Sequence, residues 1–187
     1  MKLPRTIRLD PSDTFVFERA AEPGEWAVSG AFAFWDEDLG ALGPKQRTAL
    51  RAGFLGLGTF GWSTLCVVSF VTPAERAAAV EALAAHLVEK FGAPNLESAR
   101  AAAEEEIAFA AALCDHPENT LLAVQRQVED GQIRERFRTL HARDPAERGQ
   151  DGLHATARAF NFVESVDDDE PVEEIDLLGL MKKTDRT

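Results

Sequence analysis

Asn119-Thr120-Leu121-Leu122-Ala123-Val124-Gln125-Arg126-Gln127-Val128-Glu129-Asp130-Gly131-Gln132-Ile133-Arg134-Glu135-Arg136-Phe137-Arg138-Thr139-Leu140 decides the fold class. Asp130-Gly131 between two alternating runs signals a tight β-hairpin, because the turn needs positive φ and glycine adopts it without a Cβ clash. A two-residue turn also fixes the register. Val128 then faces Ile133, Arg126 faces Glu135 and Val124 faces Phe137. One face of the hairpin receives apolar pairs and a single ion pair. The other carries Gln125 and Gln127 against Arg136 and Arg134, with Arg138 beyond.

Just upstream lies a helical hairpin. Thr72 is an N-cap, Pro73 takes the first helical position and Glu75 completes a capping box. Val80, Leu83, Ala84, Leu87 and Phe91 form one apolar stripe, which Gly92 ends. Asn95 caps a second helix running to about Cys114. Ala103, Ile107, Ala110 and Cys114 share its inner face, while Glu104 and Glu105 look outward. The short Gly92-Ala93-Pro94 link makes the two helices antiparallel.

Further out, the patterns read as strands. Trp62 to Val71 is the strongest of them, apolar on both faces and therefore central in its sheet. Glu25 to Phe34 alternates, with Trp26, Val28, Phe32 and Phe34 on one side, and predicts another strand. Thr14 to Glu18 is β-branched and aromatic in its middle and predicts a third. Pro44 to Arg51 reads as a short helix with proline at its start. The expected fold class is α+β: an antiparallel sheet of five to six strands, a helical hairpin packed on one face, and a disordered acidic C-terminal tail.

Residues 1–143 make the single α+β domain in this reading, and 144–187 the linker and tail. From Asn161 to Thr187 there are nine acidic and three basic residues. Half of the chain's net charge of −12 therefore lies there, which predicts disorder. A short apolar segment at 172–181 interrupts it.

That negative charge repels phosphate backbones and disfavours nucleic acid and anionic membranes as partners. The longest apolar stretch is about half a membrane span. The opening Met1-Lys2-Leu3-Pro4-Arg5 has no apolar signal region. Cys66 and Cys114 have no zinc or redox spacing and read as buried thiols. Together these predict a cytoplasmic protein.

No motif assigns a catalytic, cofactor-binding or metal-binding residue. His86, His116, His141 and His154 form no ligand pair. The acidic clusters at Asp36-Glu37-Asp38 and Asp167-Asp168-Asp169-Glu170 lack the alternation of a calcium loop. Gly56-Leu57-Gly58-Thr59-Phe60-Gly61 spells G-x-G-x-x-G. A dinucleotide site, however, needs a helix after the glycines, and here a strand follows. A tight turn is the plain reading. The candidate ligand loop is Gly56, Gly58 and Gly61 with Trp26 and Trp62 beside it. The candidate partner surface is Arg134, Arg136 and Arg138 on the hairpin, with Ile175, Leu177, Leu178 and Leu180 in the tail as a segment that folds onto a groove.

Three segments resemble a family of short bacterial proteins of unknown function: Leu3-Pro4-Arg5-Thr6-Ile7-Arg8-Leu9-Asp10, Trp26-Ala27-Val28-Ser29-Gly30 and Arg51-Ala52-Gly53-Phe54-Leu55-Gly56. The resemblance covers roughly residues 1–140. It brings no assigned activity and no site residues. Its association with redox-enzyme maturation implies an accessory role. The expected function is a non-catalytic accessory protein that binds another protein. The alternative is a small-molecule-binding domain or small enzyme using the Gly53–Gly61 loop.

Overall fold

The hairpin forms at the predicted register. In the computed structural model, which describes residues 1–142 and 162–165, β6 (Leu121–Glu129) pairs antiparallel with β7 (Gln132–Ala142). Val124 stands opposite Phe137, Arg126 opposite Glu135 and Val128 opposite Ile133. Asp130 and Gly131 take φ of 52° and 79°.

The hairpin is the centre of a five-stranded sheet. Its order is β1 (Lys2–Ile7), β5 (Leu65–Phe70), β6, β7 and β8 (Phe162–Ser165). Every neighbouring pair is antiparallel. The fifth strand comes from within the segment read as linker and tail. The remainder of that segment, including the apolar run at 172–181 and Ile175, Leu177, Leu178 and Leu180, lies outside the described residues. A second, three-stranded sheet is made of β2 (Ala27–Val28), β3 (Phe54–Gly56) and β4 (Trp62–Ser63).

The helical hairpin is as expected. α3 (Pro73–Phe91) starts at Thr72, whose hydroxyl accepts from the Glu75 N–H while the Glu75 carboxylate accepts from the Thr72 N–H. It stops at Gly92 with φ 67°. α4 (Leu96–Ala112) is capped by the Asn95 side chain. Leu83 and Ala84 of α3, Ala99, Ala103 and Ile107 of α4, and Leu3, Val28 and Leu55 beneath them bury one core cluster. Small residues on α4 let its axis approach α3 and the strands closely. Cys66, Val68, Leu122, Val124, Phe54 and Cys114 form a second cluster against the sheet.

Three predicted strands are revised. Thr14–Glu18 does not form one: Ser12–Val16 is a short helix, α1. Side chains turn the backbone locally there, as Asp10 accepts from the Ser12 N–H and the Thr14 hydroxyl donates to the Pro11 carbonyl. Such bonds compete with strand pairing. The Glu25–Phe34 strand ends at Val28. Gly30 turns the chain at φ 82°, and Ala31–Phe34 is a turn of 3-10 helix. The long Trp62–Val71 strand is split at Thr64 and changes sheets there. Asp13 pins the corner: its buried carboxylate accepts from the Thr64 hydroxyl at 2.6 Å and the Thr64 N–H at 3.2 Å. β5 does lie inside its sheet, although only Cys66 and Val68 are fully buried. α2 (Pro44–Ala52) forms as read.

Candidate functional site

The hairpin has two chemically different faces. On the inner face, Arg126 is buried at 3% exposure and its Nε donates to Glu135 Oε1 at 2.6 Å. Its Nη1 donates to the carbonyls of Leu50 at 3.1 Å and Gly53 at 2.8 Å. Its Nη2 donates to the Ser29 carbonyl. The Ser29 hydroxyl donates to Glu135 Oε1 at 2.5 Å. The last carbonyls of a helix have no partner within it. Arg126 supplies one to α2 from a strand far away in sequence. A planar guanidinium can do this and hold a carboxylate at once, whereas an ammonium cannot match the fork.

Glu106 of α4 adds a second carboxylate to this charge cluster. It stands three residues after Ala103 and seven after Ala99, on the helix's buried stripe. Burial pushes its carboxyl up to about 7, the neighbouring Glu135 charge adds to this, and Arg126 opposes it. Burial also pulls the Arg126 pKa down, while the Glu135 charge and hydrogen bond hold it up. Arg126 and Glu135 tie α2 and Ser29 to the hairpin. The ion pair was legible as a cross-strand pair on an apolar face. Its grip on α2 and Ser29 was not, since those contacts span 73 to 97 positions in the chain.

The glycine loop joins β3 to β4, a strand–turn–strand arrangement. It already holds an anion of its own. The Glu25 carboxylate Oε2 accepts from the N–H groups of Gly58 and Thr59, each at 2.8 Å. Its Oε1 accepts from the Glu22 N–H at 2.8 Å. A Cβ built on Gly56 would lie 2.6 Å from Glu25 Oε2, and one on Gly61 would lie 2.6 Å from the Ala20 carbonyl. The glycines thus permit close approach of the chain's own segment 20–25. No sequence signal marked Glu25 for this role.

Beside the loop lies a half-open cleft of about 400 Å³. Phe34, Leu42, Leu55 and Trp62 give it an apolar lining, and two lysines, Lys45 and Lys90, line it together with two glutamates, Glu18 and Glu37. Trp62 stacks on Phe34 with ring centroids 5.3 Å apart. Of the five residues assigned to a ligand loop, Trp62 alone lines this cleft. Gly56, Gly58 and Gly61 face segment 20–25. Trp26 packs on the main core under the Arg5 guanidinium, 5.1 Å from its ring.

On the hairpin's outer face, Arg134 and Arg136 are exposed and Arg138 is half-buried. Arg134 pairs with Glu129 across the turn at 3.0 Å. Gln125 and Gln127 lie opposite Arg136 and Arg134. Both cysteines are buried free thiols. Burial raises Cys66 well above the ordinary thiol range, and it pushes Cys114 up to about 12 against the pull of Lys2. Among the described residues, no group of three His, Cys, Asp or Glu side chains could hold a metal ion. Nor is any helix there long and apolar enough to cross a membrane.

The chain belongs to a family of unknown function, DUF6505, which matches residues 1–159. No curated protein and no solved structure matches the chain significantly.

Proposed function

We propose that this member of DUF6505 is a non-catalytic accessory protein that works through protein–protein contacts, with the outer face of the β6–β7 hairpin as its contact surface. The observation that carries the reading is the row itself. Arginines at alternate positions 134, 136 and 138 project from one face; on β6, glutamines stand opposite Arg134 and Arg136, and Ala123 stands opposite Arg138. Arginine is enriched at interfaces because its fork matches carboxylates and its stem packs. The fitting partner is an acidic protein surface, met in the cytoplasm. A role in the maturation of a redox enzyme is compatible with such a partner. The reactive groups elsewhere point the same way: the thiols are buried, and Arg126 and Glu135 are occupied with each other.

A photo-crosslinker placed at Gln127 tests this. Exposed Gln127 lies on the same face as Arg134 and Arg136. Capture of a defined protein there, and none from Glu97 on α4, is the expected result. Equal capture from both positions, or none from either, rejects the surface.

The cleft favours a second reading, a small-molecule-binding domain or small enzyme. An aromatic lining with paired lysines and glutamates suits a flat apolar ligand carrying both an amine and an acid, such as an aromatic amino acid. A thermal shift on adding aromatic amino acids, lost in Trp62→Leu, would support it over the first.

A further inference from the structure

Phe60 lines the cleft, and it does so from a costly backbone position. Its φ is 55°, a left-handed conformation that strains a residue with a bulky side chain. Such strain persists only where the surroundings impose it, and it gathers at ligand sites. Segment 19–25 imposes it here. The Glu25 carboxylate accepts from the N–H groups of Gly58 and Thr59 at 2.8 Å each, and Arg19 Nη1 donates to the Thr59 carbonyl at 3.0 Å. Beyond Phe60, the Gly61 carbonyl accepts from the Gly56 N–H at 2.8 Å, and the Trp62 N–H donates to the Arg19 carbonyl at 2.9 Å. α3 then backs the ring. The His86 ring lies 4.2 Å from it between centroids, and one turn later Lys90 Nζ lies 4.4 Å from its centroid. Among the described residues, none of the four charged side chains lining the cleft (Glu18, Glu37, Lys45 and Lys90) forms an ion pair. Both signs of charge are open to a ligand.

We propose, resting on the second reading of the cleft as a ligand site, that it selects a free aromatic amino acid through Phe60 and Lys90, and that Glu25 positions Phe60 from outside the cleft. An aromatic acid alone leaves the two glutamates to repel it, and an amine alone meets the same problem with the lysines. A zwitterion satisfies both. Its carboxylate goes to Lys90, whose ammonium the face of Phe60 already holds in place. Its amine goes to Glu18 or Glu37, and its ring packs on Phe60 and Trp62. Glu25 does not line the cleft. Its bonds to Gly58 and Thr59 set the backbone from which the Phe60 ring projects. A wall fixed in advance loses less freedom on binding than one the ligand must order. That benefit is what the strain at Phe60 supports.

The test is calorimetric titration of the full-length chain with L-tryptophan and L-phenylalanine. Tryptamine, which lacks the acid, and indole-3-propionate, which lacks the amine, are the comparison arms. L-Tryptophan should bind, and each of these two analogues should bind at least about tenfold more weakly, because one charged contact is lost. In Lys90→Met, L-tryptophan should fall to the level of tryptamine while tryptamine itself keeps its parent affinity. Phe60→Asn removes the ring but places a residue that tolerates the left-handed turn. It should keep a cooperative melt and bind L-tryptophan at least about tenfold more weakly. Glu25→Gln should weaken all the ligands by one common factor and leave their ratios intact, a result that a purely structural role for Glu25 does not give. Equal affinity for L-tryptophan and both analogues, or parent affinity in Lys90→Met or Phe60→Asn, would overturn the selection while leaving the cleft a ligand site. Parent affinities in Glu25→Gln would remove its positioning role. A parent chain that binds neither amino acid would sink the cleft reading and the selection together.

Discussion

Arg126 and Glu135 stand directly opposite on β6 and β7, with Nε 2.6 Å from Oε1 and the Arg126 side chain wholly buried. This pair divides the hairpin. On its side of the sheet Arg126 is committed to structure, while Arg134 and Arg136 on the other side are exposed.

Removing one member of a buried pair strands the other charge, at a cost of about 3–5 kcal/mol. Arg126→Met should therefore destabilise by that order in chemical denaturation, because it also orphans the α2 carbonyls. Adding Glu135→Leu should recover a large part. Arg126→Lys should recover little, since one ammonium cannot replace the fork. A variant Arg126→Met that melts like the parent would show that the pair carries no stability.

Glu106 should make stability pH-dependent. Its folded pKa, about 7, lies above its ordinary value of 4.5. The native state thus keeps a proton that the unfolded chain releases. That contribution is fully present below about pH 4.5 and is lost as pH rises through about 7. The unfolding free energy of the parent should fall relative to Glu106→Gln across this window, by roughly 1–3 kcal/mol in total. Parallel curves would mean that Glu106 titrates as an ordinary surface carboxyl.

The loop glycines should rank by what their Cβ would meet. At Gly61 it meets backbone of Ala20 and Ala21 at 2.6–2.7 Å, while at Gly58 it meets the end of the Glu25 side chain at 3.1 Å. Gly61→Ala should cost about 1–3 kcal/mol, as overpacking does, and Gly58→Ala clearly less. The reverse order in thermal melts would contradict the packing of the loop on segment 20–25.

Both thiols should be inert in the folded protein. Burial removes access and suppresses the thiolate, which is the reactive form. Labelling by a thiol reagent should wait for denaturant; rapid stoichiometric labelling of either cysteine in buffer alone would contradict this.

Much of this fold is legible in sequence where local chemistry and tertiary packing agree. Thr72-Pro73-Ala74-Glu75 and Asp130-Gly131 specify a helix start and a turn within a few residues, and both form as read. Strand readings fail where a distant residue decides. Thr64 breaks a continuous apolar run because Asp13, 51 positions away, holds it. Thr14–Glu18 has β propensity but is turned by its own short polar side chains. Site residues divide in the same way. The Arg126–Glu135 pair follows from register, and Glu106 could have been found at i+3 and i+7 on the α4 stripe. Glu25 in the glycine loop could not, since nothing near it in the chain marks it as the loop's anion.

On the proposed division of the hairpin, the outer arginines serve contacts and the inner one serves stability. Charge reversal at Arg134→Glu with Arg136→Glu, measured side by side for melting and for capture of proteins from native lysate, tests it most directly. Surface substitutions typically change stability by about 0.5 kcal/mol or less, so the melting curve should stay with the parent while salt-sensitive capture is lost. A variant that melts like the parent and retains every captured protein would contradict the claim.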